Sequence, residues 1–180
     1  MLDTQRDPAT RLFLLGERLD GVRQTLFRQT LFAEFEMKIH EMAEAGQPLT
    51  GDSLGRLYLE LLRTYYGHDA GVCQVDELYG NEWAYIPHFY RNFYVYQYAT
   101  SMVASSAIAD RIRREAVLPT PGTAARDAYL KMLSSGSSKY PVDLLKDAGV
   151  DMTTSAPFNA AVAEMNAIMD EMDKLLAGKK

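Results

Sequence analysis

Apolar residues return at intervals of three and four along most of this chain. No stretch alternates apolar and polar positions in the period-two manner of a half-buried strand. Leu12, Leu15, Leu19, Val22, Leu26, Phe27, Phe32, Phe35 and Ile39 keep near the 3.6 period, and Asp7-Pro8 supplies a capping side chain followed by proline at the first helical position. The spacing predicts a long helix as far as Gly46, with Gly21 the place for a bend. Leu49-Thr-Gly-Asp-Ser-Leu54 restarts a helix through Leu57, Leu61 and Leu62, which Gly67 stops. Residues 67–82, GHDAGVCQVDELYGNE, carry three glycines and four acids and read as a loop.

A third long helix is predicted from about His88 to Arg114, broken by Pro119-Thr-Pro121-Gly122. A fourth runs from Thr123 to Ser134, and Ser134-Ser-Gly-Ser-Ser138 forms a turn. Pro141 opens a short helix that Gly149 closes, and Ser155-Ala-Pro157 opens a last one ending near Gly178. The fold class is all-α, an irregular multi-helix arrangement whose unequal helices do not suit a simple four-helix bundle. The expectation is one helical domain over 1–180, with the loop 67–87 and the break 115–122 internal to it.

Composition narrows the functional classes. Of 180 residues, 47% are hydrophobic and 24% charged, enough for a real core. The net charge of −5 argues against nucleic acid as a partner, and the run Arg111-Ile-Arg-Arg114 reads as a solvated helix face. No apolar run reaches the ~18 residues of a membrane span, and MLDTQRDPATR lacks an apolar signal-peptide core, so no membrane partner is expected. Cys73 is the sole cysteine, which excludes an internal disulfide and suits a reducing compartment; a cytoplasmic location is the expectation.

The chemistry concentrates in residues 86–98, IPHFYRNFYVYQY. Projected as a helix, Phe89, Phe93 and Tyr96 share one stripe, Tyr90, Tyr94, Tyr98 and Ser101 a second, and His88, Asn92, Val95 and Ala99 another side. Both aromatic stripes could be core, with hydroxyls reaching backbone or water at the edges. Alternatively they form the polar wall of a cleft, where phenols and an imidazole donate to a developing oxyanion. Composition leaves both open.

Phe27-Arg-Gln-Thr-Leu-Phe-Ala-Glu-Phe-Glu36, His40-Glu41, IPHFYRNFYVYQYAT, Ser135-Gly-Ser-Ser-Lys-Tyr-Pro141 and Leu144-Leu-Lys-Asp-Ala-Gly-Val-Asp-Met152 together resemble the C-terminal part of oligoendopeptidase F. That is a zinc peptidase family related to thimet oligopeptidase. The resemblance implies the C-terminal portion of a mostly helical, cytoplasmic enzyme that cleaves short peptides inside a deep channel. It also implies a zinc ion held by the two histidines of a His-Glu-x-x-His helix and a downstream glutamate, with the motif glutamate as general base.

This chain has only His40, His68 and His88, and no His-x-x-x-His. Because the family's zinc segment precedes the matched region, the expectation is that the chain starts after the third ligand. It would then bind no metal itself, be inactive alone, and depend on a missing N-terminal zinc-bearing half.

By resemblance, His88 matches the histidine heading the family's substrate and oxyanion motif, and Tyr90, Tyr94 and Tyr96 occupy its tyrosine positions. The hydroxyl row favours Tyr90 and Tyr94, whereas spacing in distant relatives favours Tyr96. Gly136 and Tyr140 match a glycine-containing substrate loop, although Gly136 also suits an ordinary interhelical turn. Arg28 and Glu34 flank the family's third-ligand region and could form an ion pair behind it, although ordinary surface or interhelical pairing suits them equally well.

Glu36 and His40 stand at i and i+4 beside Glu41. They could be two legs of a metal site, but a helix-surface or buried structural pair explains them better. His68, Asp69, Cys73, Asp76 and Glu77 offer ligand types without a zinc spacing. Methionines such as Met37, Met102 and Met169 read as core filling.

The expected function is the substrate-facing aromatic wall of an oligoendopeptidase. The alternative is a non-catalytic helical module that binds peptides or proteins and forms a homo-oligomer through an exposed aromatic face.

Overall fold

The computed structural model describes residues 5–178. Seven α-helices carry these residues, and no strand occurs among them: α1 Pro8–Val22, α2 Arg28–Glu44, α3 Gly51–Tyr65, α4 Tyr96–Ala116, α5 Ala124–Ser134, α6 Pro141–Asp147 and α7 Ala156–Ala177. The all-α expectation therefore holds. The chain divides into two compact units, one of Arg23–Ala99 and one of residues up to Val22 with those from Thr100 onward.

The long first helix is interrupted where the sequence suggested a bend, though slightly later. Residues Arg23–Phe27 form a π-helical segment, whose extra residue per turn displaces the backbone hydrogen-bond register. Just beyond it, the Thr30 hydroxyl donates to the Leu26 carbonyl at 2.6 Å, the back-bonding that accompanies bent helices.

Within Arg23–Ala99, α3 begins at a capping box. Thr50 Oγ1 accepts from Ser53 N at 3.2 Å, and Ser53 Oγ accepts from Thr50 N at 2.9 Å. The segment expected as a loop after Gly67 instead contains a 3₁₀ helix, Glu77–Tyr85, started by Asp76, whose side chain accepts from Leu78 N at 2.8 Å. It lies close against α3 because two glycines face each other. A Cβ on Gly80 would stand 3.0 Å from the Gly55 carbonyl oxygen.

Phe35 centres this core, with Tyr58 edge-on at 5.1 Å and Phe89 tilted at 5.1 Å. Leu31, Phe32, Leu61, Leu62, Val75, Ile86 and Val95 complete it. Burying a side chain of Phe35's size contributes ~1.5–3 kcal/mol, and its ring pairs add to that.

A polar network crosses the apolar core. The fully buried Tyr58 donates to Glu82 Oε2 at 2.7 Å, Arg28 pairs with Glu82 Oε1, and the Arg28 guanidinium lies 4.7 Å from the Phe32 ring centre. Burial first, then the Glu82 bond, raises the Tyr58 phenol well above its ordinary value. Of the two readings open for Arg28 and Glu34, ordinary pairing is the one observed: Glu34 accepts from the Tyr65 hydroxyl at 2.9 Å and pairs with Lys38 at 3.6 Å, while Arg28 takes Glu82.

The other unit joins α1 to α7 through Arg11–Glu171 and Arg18–Glu164, and Arg113 of α4 reaches Glu164 at 3.5 Å. Ala104, Ile108, Ala148 and Val150 form its small core. Glu115 caps α5, accepting from Ala124 N at 3.0 Å and Ala125 N at 2.6 Å. Gly149 (φ 84°) ends the turn after α6 in the left-handed region, with the Arg111 guanidinium occupying the space of a Cβ and donating to the Ala148 carbonyl.

Candidate substrate-binding site

The helix predicted from His88 begins only at Tyr96. Two features stop it earlier. Pro87 opens a short 3₁₀ turn, Pro87–Tyr90, and Phe93 sits at φ 57°. A left-handed non-glycine residue costs ~1–2 kcal/mol and cannot belong to a right-handed helix. The stripes drawn on a helical wheel for residues 88–95 therefore do not exist as such.

The observed path has a different logic. The 3₁₀ turn presents His88, Phe93 redirects the chain at its positive φ, the fully buried Val95 anchors it, and α4 then presents Tyr98. His88 Nε2 and the Tyr98 hydroxyl share a hydrogen bond at 3.1 Å. The Tyr94 ring stacks on His88, with centroids 5.7 Å apart and planes 5° apart, and meets Tyr98 edge-on at 5.6 Å. A hydrogen bond with Tyr94, then burial, raises the Tyr98 phenol above its ordinary value. A phenol so held stays protonated and can donate to an oxyanion.

Of the residues singled out by resemblance, His88 and Tyr94 meet in this cluster. Tyr90 turns away, the residue 73% exposed and its hydroxyl donating to the Ala84 carbonyl at 2.9 Å. Tyr96 is 50% exposed and stands two residues before Tyr98 on α4, so the two side chains leave different faces of the helix. Tyr98 was not among the singled-out residues. Its signal was the i, i+4 spacing from Tyr94, which survives because the last turn before Tyr98 is nearly helical. Gly136, at φ 52°, lies in an open turn of the other unit, and Tyr140 is exposed.

Three of the other ligand-type residues have structural partners. Glu36, only 3% exposed, accepts from Phe93 N at 2.8 Å, and the His40 ring lies 4.7 Å from that of Phe93. His68 Nδ1 accepts from Val75 N at 2.9 Å, closing its loop. Among the described residues no three His, Cys, Asp or Glu side chains gather as a metal site would need, so they do not fit the zinc ion that the resemblance implies. No helix among them is long and apolar enough to cross a membrane.

Peptidase family M3 matches residues 2–164. The chain belongs to peptidase family M3. It is similar to oligopeptidase PepF of Bacillus subtilis (strain 168), at 46% identity over 98% of this chain and 25% of that protein. It is also similar to the chromosomal oligoendopeptidase F of Lactococcus lactis subsp. cremoris, at 41% identity over 98% of this chain and 28% of that one.

The crystal structure of oligoendopeptidase-F from Enterococcus faecium superposes with a TM-score of 0.89 at 40% identity, over 98% of this chain and 32% of that one. A putative peptidase from Chlamydophila abortus gives a TM-score of 0.84 at 38% identity, over 97% of this chain and 28% of that one. This M3 chain thus spans about a quarter to a third of the length of these relatives.

Proposed function

We propose that this chain supplies the substrate-facing wall of a zinc metalloendopeptidase that cleaves short peptides, the metal-bearing segment being a separate stretch of polypeptide. The observation that carries this reading is the His88–Tyr94–Tyr98 cluster in a chain of family M3. The zinc of such an enzyme supplies an activated water. The residues here orient the scissile carbonyl and receive the charge that develops on its oxygen. Tyr98 is the donor to that oxygen: with Nε2 protonated, His88 donates to the Tyr98 hydroxyl and leaves its single hydrogen for the oxyanion, and Tyr94 holds the imidazole plane through stacking.

The cluster needs no proton transfer of its own. A neutral phenol that accepts from an imidazole N–H strengthens its own hydrogen bond to the carbonyl oxygen as that carbon becomes tetrahedral, which lowers the barrier without tightening ground-state binding. In the metal-bearing assembly, Tyr98→Phe and His88→Ala are expected to lower kcat about 10²–10³-fold each with little change in KM. Unchanged kcat in both variants would remove the cluster from the reaction.

A second reading has one observation in its favour: Tyr85, Tyr90, Phe93 and Tyr96 are all largely exposed around the same segment. Such a face would bind a partner or a second copy of the chain. Light scattering over a concentration series tests it, a strictly monomeric chain being the contrary result.

A further inference from the structure

We propose that Glu36 is a positioning residue for the His88–Tyr94–Tyr98 cluster, acting through the backbone N–H of Phe93. This deepens the reading of that cluster as substrate-facing and rests on it. Glu36 is the one charged side chain in the buried set of the described residues, and its Oε1 accepts from Phe93 N at 2.8 Å. Phe93 is likewise the only described non-glycine residue at positive φ.

A buried carboxylate thus meets the one backbone unit that L-residues rarely adopt, and each explains the other. The acceptor satisfies an N–H that the reversed chain would otherwise leave unpaired. The tertiary contact in turn sustains a conformation that local preference disfavours. Four residues along α2, His40 packs its ring against that of Phe93, so one face of α2 grips both the backbone and the side chain of this residue.

The position of Phe93 gives this grip its consequence. It stands midway in sequence between His88, on its 3₁₀ turn, and Tyr98, on α4. Tyr94 follows it directly and stacks on His88. If Phe93 relaxes to negative φ, the chain leaves it in another direction and Tyr94 departs from His88. Glu36 therefore sets the geometry of the donors without touching them.

The chain's three histidines make nuclear magnetic resonance of ¹⁵N-labelled imidazoles a clean assay, with His88→Gln assigning one signal set. His68, whose Nδ1 accepts from Val75 N, is the internal control for an intact fold. Glu36→Gln keeps an acceptor oxygen at the same reach and is expected to leave the His88 signals in place. Glu36→Asp keeps the carboxylate but withdraws it by one methylene. Both it and Glu36→Leu are expected to abolish the ring-current shift that Tyr94 imposes on His88 while His68 stays put.

Adding Phe93→Gly to Glu36→Leu restores part of that shift, since glycine holds positive φ without strain. Should Glu36→Leu fail to fold, the Asp and Gln variants decide. Unmoved His88 signals in Glu36→Asp, or equal movement of His88 and His68, overturn the assignment. Adding an alanine-rich oligopeptide blocked at both ends to the wild-type chain separates this from the reading beneath it. A peptide that leaves the His88 signals unmoved counts against the substrate-facing role and leaves the positioning result standing.

Discussion

Replacing Tyr58 by phenylalanine deletes one oxygen from the centre of the unit Arg23–Ala99. The hydroxyl is fully buried and donates at 2.7 Å to Glu82, which also holds Arg28. A hydrogen bond to a charged acceptor contributes about 1.5–3 kcal/mol, and its loss leaves Glu82 Oε2 short of a donor in a region with little access to water. The aromatic ring stays, so the contact of Phe35 with that ring survives and no cavity larger than an oxygen opens.

The expected loss is therefore about 2 kcal/mol, which for a unit of this size lowers Tm by on the order of 10 °C. Urea unfolding followed by far-ultraviolet circular dichroism reads it as a shift in midpoint at unchanged slope. Because Glu82 is shared, Tyr58→Phe combined with Glu82→Gln should show a coupling energy of at least about 1 kcal/mol. A Tyr58→Phe protein within about 0.5 kcal/mol of the wild type would mean that Arg28 alone satisfies Glu82. The network would then not be a stabilising feature of the core.

The same phenols set an alkaline limit. Burial and the Glu34 bond push the Tyr65 phenol up to about 12, and Tyr58 is raised as well. The unfolded phenols, with an ordinary value of 10.0, lose their protons first, so the stability these groups contribute is whole below pH 10 and drains as pH rises toward 12. Unfolding midpoints across that range check this, and the double variant Tyr58→Phe, Tyr65→Phe should flatten the decline. Gly149→Ala places a Cβ where the Arg111 guanidinium lies, at φ 84°, and is expected to cost about 1–3 kcal/mol. Gly16→Ala, in the interior of α1 with open space at the Cβ, should instead stabilise by about 0.5–1 kcal/mol; calorimetry of the pair distinguishes the two.

Much of the fold was legible in the sequence because its helix ends carry their own chemistry. Thr50 with Ser53, Pro141 and Gly149, and Ser155 ahead of Pro157 mark α3, α6 and α7 where the structure has them. The site was less legible, for a physical reason. Residues 88–98 hold aromatics at spacings that mimic an amphipathic helix, and nothing in the residue Phe93 announces a positive φ, which glycine or asparagine would have done.

The positive φ is held by a contact from Glu36, distant in the chain, which accepts from Phe93 N, so a tertiary contact overrides local preference. That is also why Tyr98, rather than Tyr90 or Tyr96, stands with His88. The π-helical segment at Arg23–Phe27 left a fainter trace, Gly21 just before it being the residue that suggested a bend.

On the proposed function, the His88–Tyr94–Tyr98 cluster faces a hydrolytic chamber whose metal ligands come from another stretch of polypeptide. The most direct measurement of this is cleavage of a quenched fluorescent peptide by the purified chain, first alone with zinc and then with a separately produced metal-bearing portion of an M3 relative. The account predicts no cleavage by the chain with zinc, cleavage once the two polypeptides associate, and loss of most of that rate in Tyr98→Phe. Zinc-dependent cleavage by the chain on its own, or a mixture whose components neither associate nor cleave, would contradict it.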